Sequence, residues 1–248
     1  MEKTVYLILI AAAVVIEAIF TPLFLKAQRP GANLKSMTYK MICATMFFMV
    51  GAFSVLYAGN RSGFAAFMIA GLALSWLGDF FLHIPRKAWC FGIGFAFFTL
   101  AHVMYITAYS LATKAYFPDR KIINIYEIIA VILIEIGLYI FYKFKKKMSF
   151  KSAGMIASAF YGIVLNTMTV KAVSFSAQYI YSMLTPKAVF GGLCIALGGI
   201  CFFTSDTSLV ILMFNKPDKH NHKLKNHNIG TYFFGQTLLA LSILFVGC

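Results

Sequence analysis

The chain is built from long apolar runs that short, basic connections interrupt. About 20 apolar residues in helical form cross the hydrocarbon core of a bilayer, which is roughly 30 Å thick. Eight segments approach that length: 5–25, 40–58, 63–84, 90–112, 124–143, 152–172, 189–213 and 228–247. In lipid every backbone polar group must be satisfied internally, so a spanning segment is a helix or part of a closed barrel. These runs are about twice the length of a barrel strand. They predict an all-α integral membrane protein, a bundle of about eight transmembrane helices around an intramembrane polar cavity. No connection is long enough for a soluble domain, so residues 1–248 read as one polytopic membrane domain. Composition closes the soluble alternative: only 12% of residues are charged, against about 25% in soluble domains.

The net charge of +14 invites a nucleic-acid reading, and the placement of the charges argues against it. Lys and Arg flank the spans, where they meet headgroups and set orientation. The 26 Phe and 13 Tyr read as lipid-facing surface and interfacial belt. Loops after the odd-numbered spans, with their flanks, hold 15 Lys and Arg, and the other side holds 7. The positive-inside rule then places both termini outside the cytoplasm, in a multi-pass protein expected in a bacterial plasma membrane. The bilayer is its first partner. Five cysteines without a CxxC read as small buried apolar residues. The first run has no small-x-small exit and reads as a helix rather than a cleaved signal.

Acids inside spans carry the information. A charge at the centre of a membrane helix costs at least about 2.5–3.5 kcal/mol on insertion scales, and such residues normally face the bundle interior. Glu17, Asp79, Glu127, Glu135 and Asp206 fall within spans, and the sequence places no Lys or Arg deep enough to pair with them. Asp79 and His83 share a helix face at four residues' spacing, and Gly78 permits close approach beside them. His102 and Tyr105 share another face. Tyr161 and Asn166 come from the sixth span, Ser205, Asp206 and Ser208 from the seventh, and Tyr232 and Gln236 from the eighth. Together they suffice to line one polar cavity. Each also has a plainer reading. One Asp can be a structural helix–helix hydrogen bond, His83 beside Pro85 can be interfacial, and Glu17, Glu127 and Glu135 read as structural. His220, His222 and His227 read as a solvated basic loop rather than a metal site. Asn60-Arg61-Ser62 fits the glycosylation pattern but lies too near the membrane.

Two carboxyls facing one cavity permit general acid and general base work when their surroundings hold them in different protonation states. His102 could stabilise or relay the proton. No G-x-S-x-G elbow or HExxH is present, and no cofactor or metal is expected. The run S-W-L-G-D (75–79), F-x(3)-H-x-x-Y from Phe98 to Tyr105, F-T-S-D from Phe203 to Asp206, and Y-x(3)-Q from Tyr232 to Gln236 resemble the YhhN family. That family includes the mammalian lysoplasmalogenases. The resemblance covers most of the chain in order. It implies an eight-span hydrolase that cleaves the vinyl ether of a lysoplasmalogen, releasing a fatty aldehyde and a glycerophospho-alcohol. It makes Asp79 and Asp206 the catalytic pair, with Ser75, His83, His102, Tyr105, Tyr161, Asn166, Ser205, Tyr232 and Gln236 supporting, and a lysophospholipid the substrate partner.

Two alternatives come from other classes. A zinc-dependent membrane lipid amidohydrolase would use Asp, Ser and His in a helical bundle, but wants three histidine ligands, and only His83 and His102 lie near spans. A proton-coupled transporter would use intramembrane acids as coupling sites, but no repeat or paired broken helix is visible.

Overall fold

A computed structural model describes residues 2–29, 33–59, 62–84, 88–144, 152–215 and 221–247. Asn60 and Arg61 of the glycosylation pattern, His220, Cys248 and several loop lysines of the charge tally lie outside them. The described residues form eight helices: α1 (Glu2–Ala27), α2 (Leu34–Ala58), α3 (Gly63–His83), α4 (Ala88–Tyr116), α5 (Ile125–Phe144), α6 (Ser152–Met183), α7 (Pro186–Phe214) and α8 (His222–Ser242). The fold is an all-α membrane bundle, as the apolar runs require.

Six of the helices, α1 to α5 and α7, are long and apolar enough to cross a membrane. The other two, α6 and α8, carry the polar side chains Tyr161, Asn166, Lys171, Asn228, Tyr232 and Gln236. These residues dilute the apolar signal and, as described below, provide partners for buried acids.

Helix starts follow local rules. Asn33 caps α2 in a reciprocal capping box with Ser36. Ser62, Thr185 and Asn221 cap α3, α7 and α8 through side-chain oxygens. Gly59 ends α2 in the left-handed region at φ 59°, where a side chain would be strained. Three helices depart most from the apolar runs. The first two turns of α2 precede residue 40, because capping and Ser36 start the helix before its apolar stretch begins. Helix α6 continues past residue 172 to Met183, because Ser174, Ser176 and Gln178 mask its last turns. Helix α8 starts at His222, six residues before the apolar stretch.

Helices pack in sequence-adjacent pairs: α1 on α2, α3 on α4, α7 on α8. Helix α8 also reaches α1, α2 and α3, and α6 bridges α4 and α7. The α3–α4 seam is close. A Cβ on Gly71 would stand 2.3 Å from the Tyr105 ring, and one on Gly78 would stand 2.6 Å from the Phe98 ring. Glycine at these positions brings two aromatic side chains of α4 directly against α3. Helix α5 packs on α6 and exposes Ile129, Leu133, Ile136 and Ile140, the surface of a lipid-facing helix.

Candidate active site

Asp79 is 1% exposed and Asp206 is 7% exposed, so each carboxyl must be satisfied by neighbours. The Lys40 ammonium lies 2.8 Å from Oδ1 of Asp79 and also donates to the Asp79 backbone carbonyl at 3.3 Å. Tyr232 donates to Oδ2 of Asp79 at 2.6 Å. A chain continues from there. Gln236 Nε2 donates to the Tyr232 oxygen at 3.3 Å, Tyr105 donates to Gln236 Oε1 at 3.0 Å, and Ser75 Oγ lies 3.5 Å from the Tyr105 oxygen. Helices α2, α3, α4 and α8 therefore meet in one network around Asp79.

Asp206 sits in a different arrangement. Tyr161 donates to its Oδ2, and Ser205 approaches Oδ1 at 3.4 Å. Asn228 of α8 donates to both the carbonyl and the hydroxyl of Ser205, at 2.8 and 2.9 Å. His102 Nε2 lies 3.0 Å from the Tyr161 oxygen. Because Tyr161 spends its one hydrogen on Asp206, His102 must donate from Nε2. In the neutral ring that leaves Nδ1 as a bare acceptor, and Nδ1 has no protein partner in the buried interior. No Lys or Arg touches Asp206 among the described residues.

Aromatic rings join the two networks. Phe202 packs edge-on against His102 at 4.7 Å and against Tyr232 at 5.4 Å, so it stands between the Asp206 relay and the Asp79 network. Phe98 packs on Tyr232 at 5.8 Å, and Phe95 on Tyr161 at 4.5 Å. The polar groups thus sit among rings, a setting where charge–dipole interactions act at low dielectric.

Several expectations need correction. Two spans do carry a lysine paired with an acid: Lys40 with Asp79, and Lys171 with Glu127 at 3.1 Å. Both had been counted as flanking charges. The long aliphatic stem of Lys40 lets its ammonium reach Asp79 from near the start of α2, whereas Lys171 lies within α6 and meets Glu127 in the first turn of α5. Glu17 has a partner as well, accepting from Thr237 at 2.7 Å. Asn166 points to a different acid. It donates to Glu135 at 2.7 Å, because five residues' separation from Tyr161 rotates it to the α5 side of α6. His83 is buried rather than interfacial, 2.8 Å from Ser36 Oγ and edge-on to Phe24. Cys194 and Cys201 are half-buried.

Ser208 contacts His227 Nδ1 at 3.0 Å, one turn beyond the Asp206 network. Among the described residues no three His, Cys, Asp or Glu side chains gather as a metal site would require. Sequence reasoning passed over Lys40, Asn228 and Phe202. For the first two a signal existed. Lys40 stands four residues after Ser36, and Asn228 four before Tyr232, each pair on one helix face.

Fold and site together define a multi-pass α-helical membrane protein with two buried, tyrosine-bonded carboxyls in its interior. The chain belongs to the YhhN family, whose model matches residues 36–243. It is similar to a protein of Dictyostelium discoideum described as a lysoplasmalogenase homolog, 27% identical over 210 residues, covering 77% of this chain and 67% of that one. No solved structure matches.

Proposed function

We propose that this protein is a membrane-embedded hydrolase that cleaves the vinyl ether of lysoplasmalogen or a related lysolipid, with Asp79 and Asp206 as the acid–base pair. The observation that carries the reading is the unequal provision for the two buried carboxyls, in a chain of a family with a lysoplasmalogenase homolog among its relatives. Asp79 has an ammonium at 2.8 Å and suits the ionised form. Among the described residues Asp206 has only hydroxyl partners and suits the protonated form, since a buried charge without a counter-ion is costly.

The reaction follows from these states. Asp206 delivers its proton to the β-carbon of the vinyl ether, and the α-carbon becomes an oxocarbenium ion. Asp79 stabilises that cation and accepts a proton as water bonds to the α-carbon. The resulting hemiacetal breaks its bond to the glycerol oxygen. Its hydroxyl proton passes to that oxygen, giving an aldehyde and a glycerophospho-alcohol. Proton return from Asp79 to Asp206 restores the start. The logic parallels glycosidases, whose transition state is also oxocarbenium-like. The Tyr161–His102 pair holds Asp206 in position and offers a route for its proton. The excess of basic residues at the ends of α1, α3, α5 and α7 supports a cytoplasmic position for that side of the bundle.

The test is mass spectrometry of lysoplasmalogen incubated with purified protein. Free fatty aldehyde is expected from the wild type and not from Asp79→Asn or Asp206→Asn. Full aldehyde release by either variant would refute the mechanism.

A further inference from the structure

A chain of contacts runs from one buried carboxyl to the other, and its middle link is apolar. Asp79 accepts from Tyr232 at 2.6 Å, and the Tyr232 ring meets Phe202 at 5.4 Å. Phe202 meets His102 at 4.7 Å, His102 Nε2 lies 3.0 Å from the Tyr161 oxygen, and Tyr161 donates to Asp206. Phe202 stands four residues before Asp206 on α7, so the two share a helix face, and its side chain is fully buried. The His102 and Tyr232 rings meet it at near right angles, 80° and 87°. Among the described residues no aromatic ring stacks flat on it. The face of a benzene ring carries the negative part of its quadrupole, and a cation placed there is attracted.

We infer that Phe202 is a catalytic residue of vinyl ether cleavage: the oxocarbenium ion forms beside its ring, which stabilises the ion by cation–π attraction. The inference rests on the hydrolase reading above. In that reaction the electron pair of the double bond takes the proton of Asp206 and becomes a C–H bond at the β-carbon. The positive charge left behind is shared by the α-carbon and the ether oxygen. The cation therefore arises between the acid that gave the proton and Asp79, and Phe202 is the residue that stands between them. Asp79 alone is a poor partner for it. Its charge is offset by Lys40 at 2.8 Å, and the Tyr232 hydrogen is aimed at the same carboxylate. Phe202 adds attraction for the cation without adding a base or a nucleophile. Water is then left to be activated at Asp79, the group that takes its proton.

The test uses the full-length protein with Phe202 replaced by mono-, di- and trifluorophenylalanine, and measures aldehyde release in a single turnover of lysoplasmalogen. Each fluorine draws electron density from the ring face and leaves the ring's size nearly unchanged. The rate is expected to fall stepwise with fluorine count, by about tenfold in total, within the worth of a desolvated cation–π contact. Phe202→Leu keeps an apolar side chain and loses the ring, and should slow release at least as much. A rate independent of fluorine count, or a Phe202→Leu protein as fast as the wild type, would overturn the inference and leave the roles of the two aspartates standing. An alkyl-ether lysophospholipid lacks the double bond and forms no cation, so it should bind the whole fluorine series with equal affinity. A fall in its affinity parallel to the fall in rate would make Phe202 a packing residue and overturn the inference. No aldehyde from the wild type would overturn the hydrolase reading, and this inference with it.

Discussion

Asp79 and Asp206 are each buried, and each receives a tyrosine hydroxyl. They differ in what else reaches them. Asp79 has a lysine and lies one helical turn from the end of α3, whereas Asp206 lies about two turns from the end of α7 and depends on hydroxyls and a histidine behind them. Two chemically identical side chains thus meet environments that favour opposite charge states. In the proposed mechanism that separation divides the roles of acid and base between the two aspartates.

The largest expected effect tests that division. Asp79→Asn and Asp206→Asn should each reduce kcat about 10³-fold, within the range for losing a positioned acid or base. They should differ in rescue. Added formate or azide should restore part of the turnover of Asp79→Asn, by standing in for the missing anion, and should leave Asp206→Asn inactive. The reverse pattern, measured by aldehyde release, would exchange the two roles.

Stability separates the two acids next. Lys40→Met leaves a buried carboxylate without its cation, a loss of about 3 kcal/mol, visible as a fall of several degrees in the melting temperature. The double variant Lys40→Met/Asp79→Asn should recover part of that loss, because neither charge is then buried alone. Additive losses would show that the ion pair is not an energetic unit.

The tyrosines give a smaller contrast. Tyr161→Phe removes a hydroxyl donor of Asp206 and its link to His102, and should lower kcat by tens of fold. Tyr232→Phe leaves Lys40 on Asp79 and should cost only a few fold. Equal losses would mean that the lysine does not buffer Asp79. The smallest effect is expected for Asn166→Ala, which faces Glu135: a kcat within about twofold of wild type. A tenfold fall would return Asn166 to the catalytic network.

Much of this architecture was readable from residues alone, for a physical reason. Lipid imposes one rule on length and polarity, so the runs around 63–84 and 189–213 marked α3 and α7 nearly to the residue. Helical spacing of four also linked Tyr232 with Gln236, and both do join the Asp79 network. What stayed hidden depends on rotation and on side-chain reach. Hydropathy cannot say which way α6 turns, so Asn166 was grouped with Tyr161 although it faces another helix. Nor can it show that a lysine near a helix end extends its ammonium to a buried acid, as Lys40 does. Polar helix ends fell outside the apolar runs, and Ser36 and Asn33, which start α2, fell with them.

The order of partners along the chain has a consequence for biogenesis. Lys40 precedes Asp79, and Tyr161 precedes Asp206, so when each aspartate leaves the ribosome its first partner has already been delivered to the membrane. Neither acid has to cross into lipid alone. Tyr232, 153 residues after Asp79, arrives last and closes a contact that the earlier helices have kept open for it. A nascent chain stopped before α8 would hold both aspartates with a polar companion each, inserted yet unfinished.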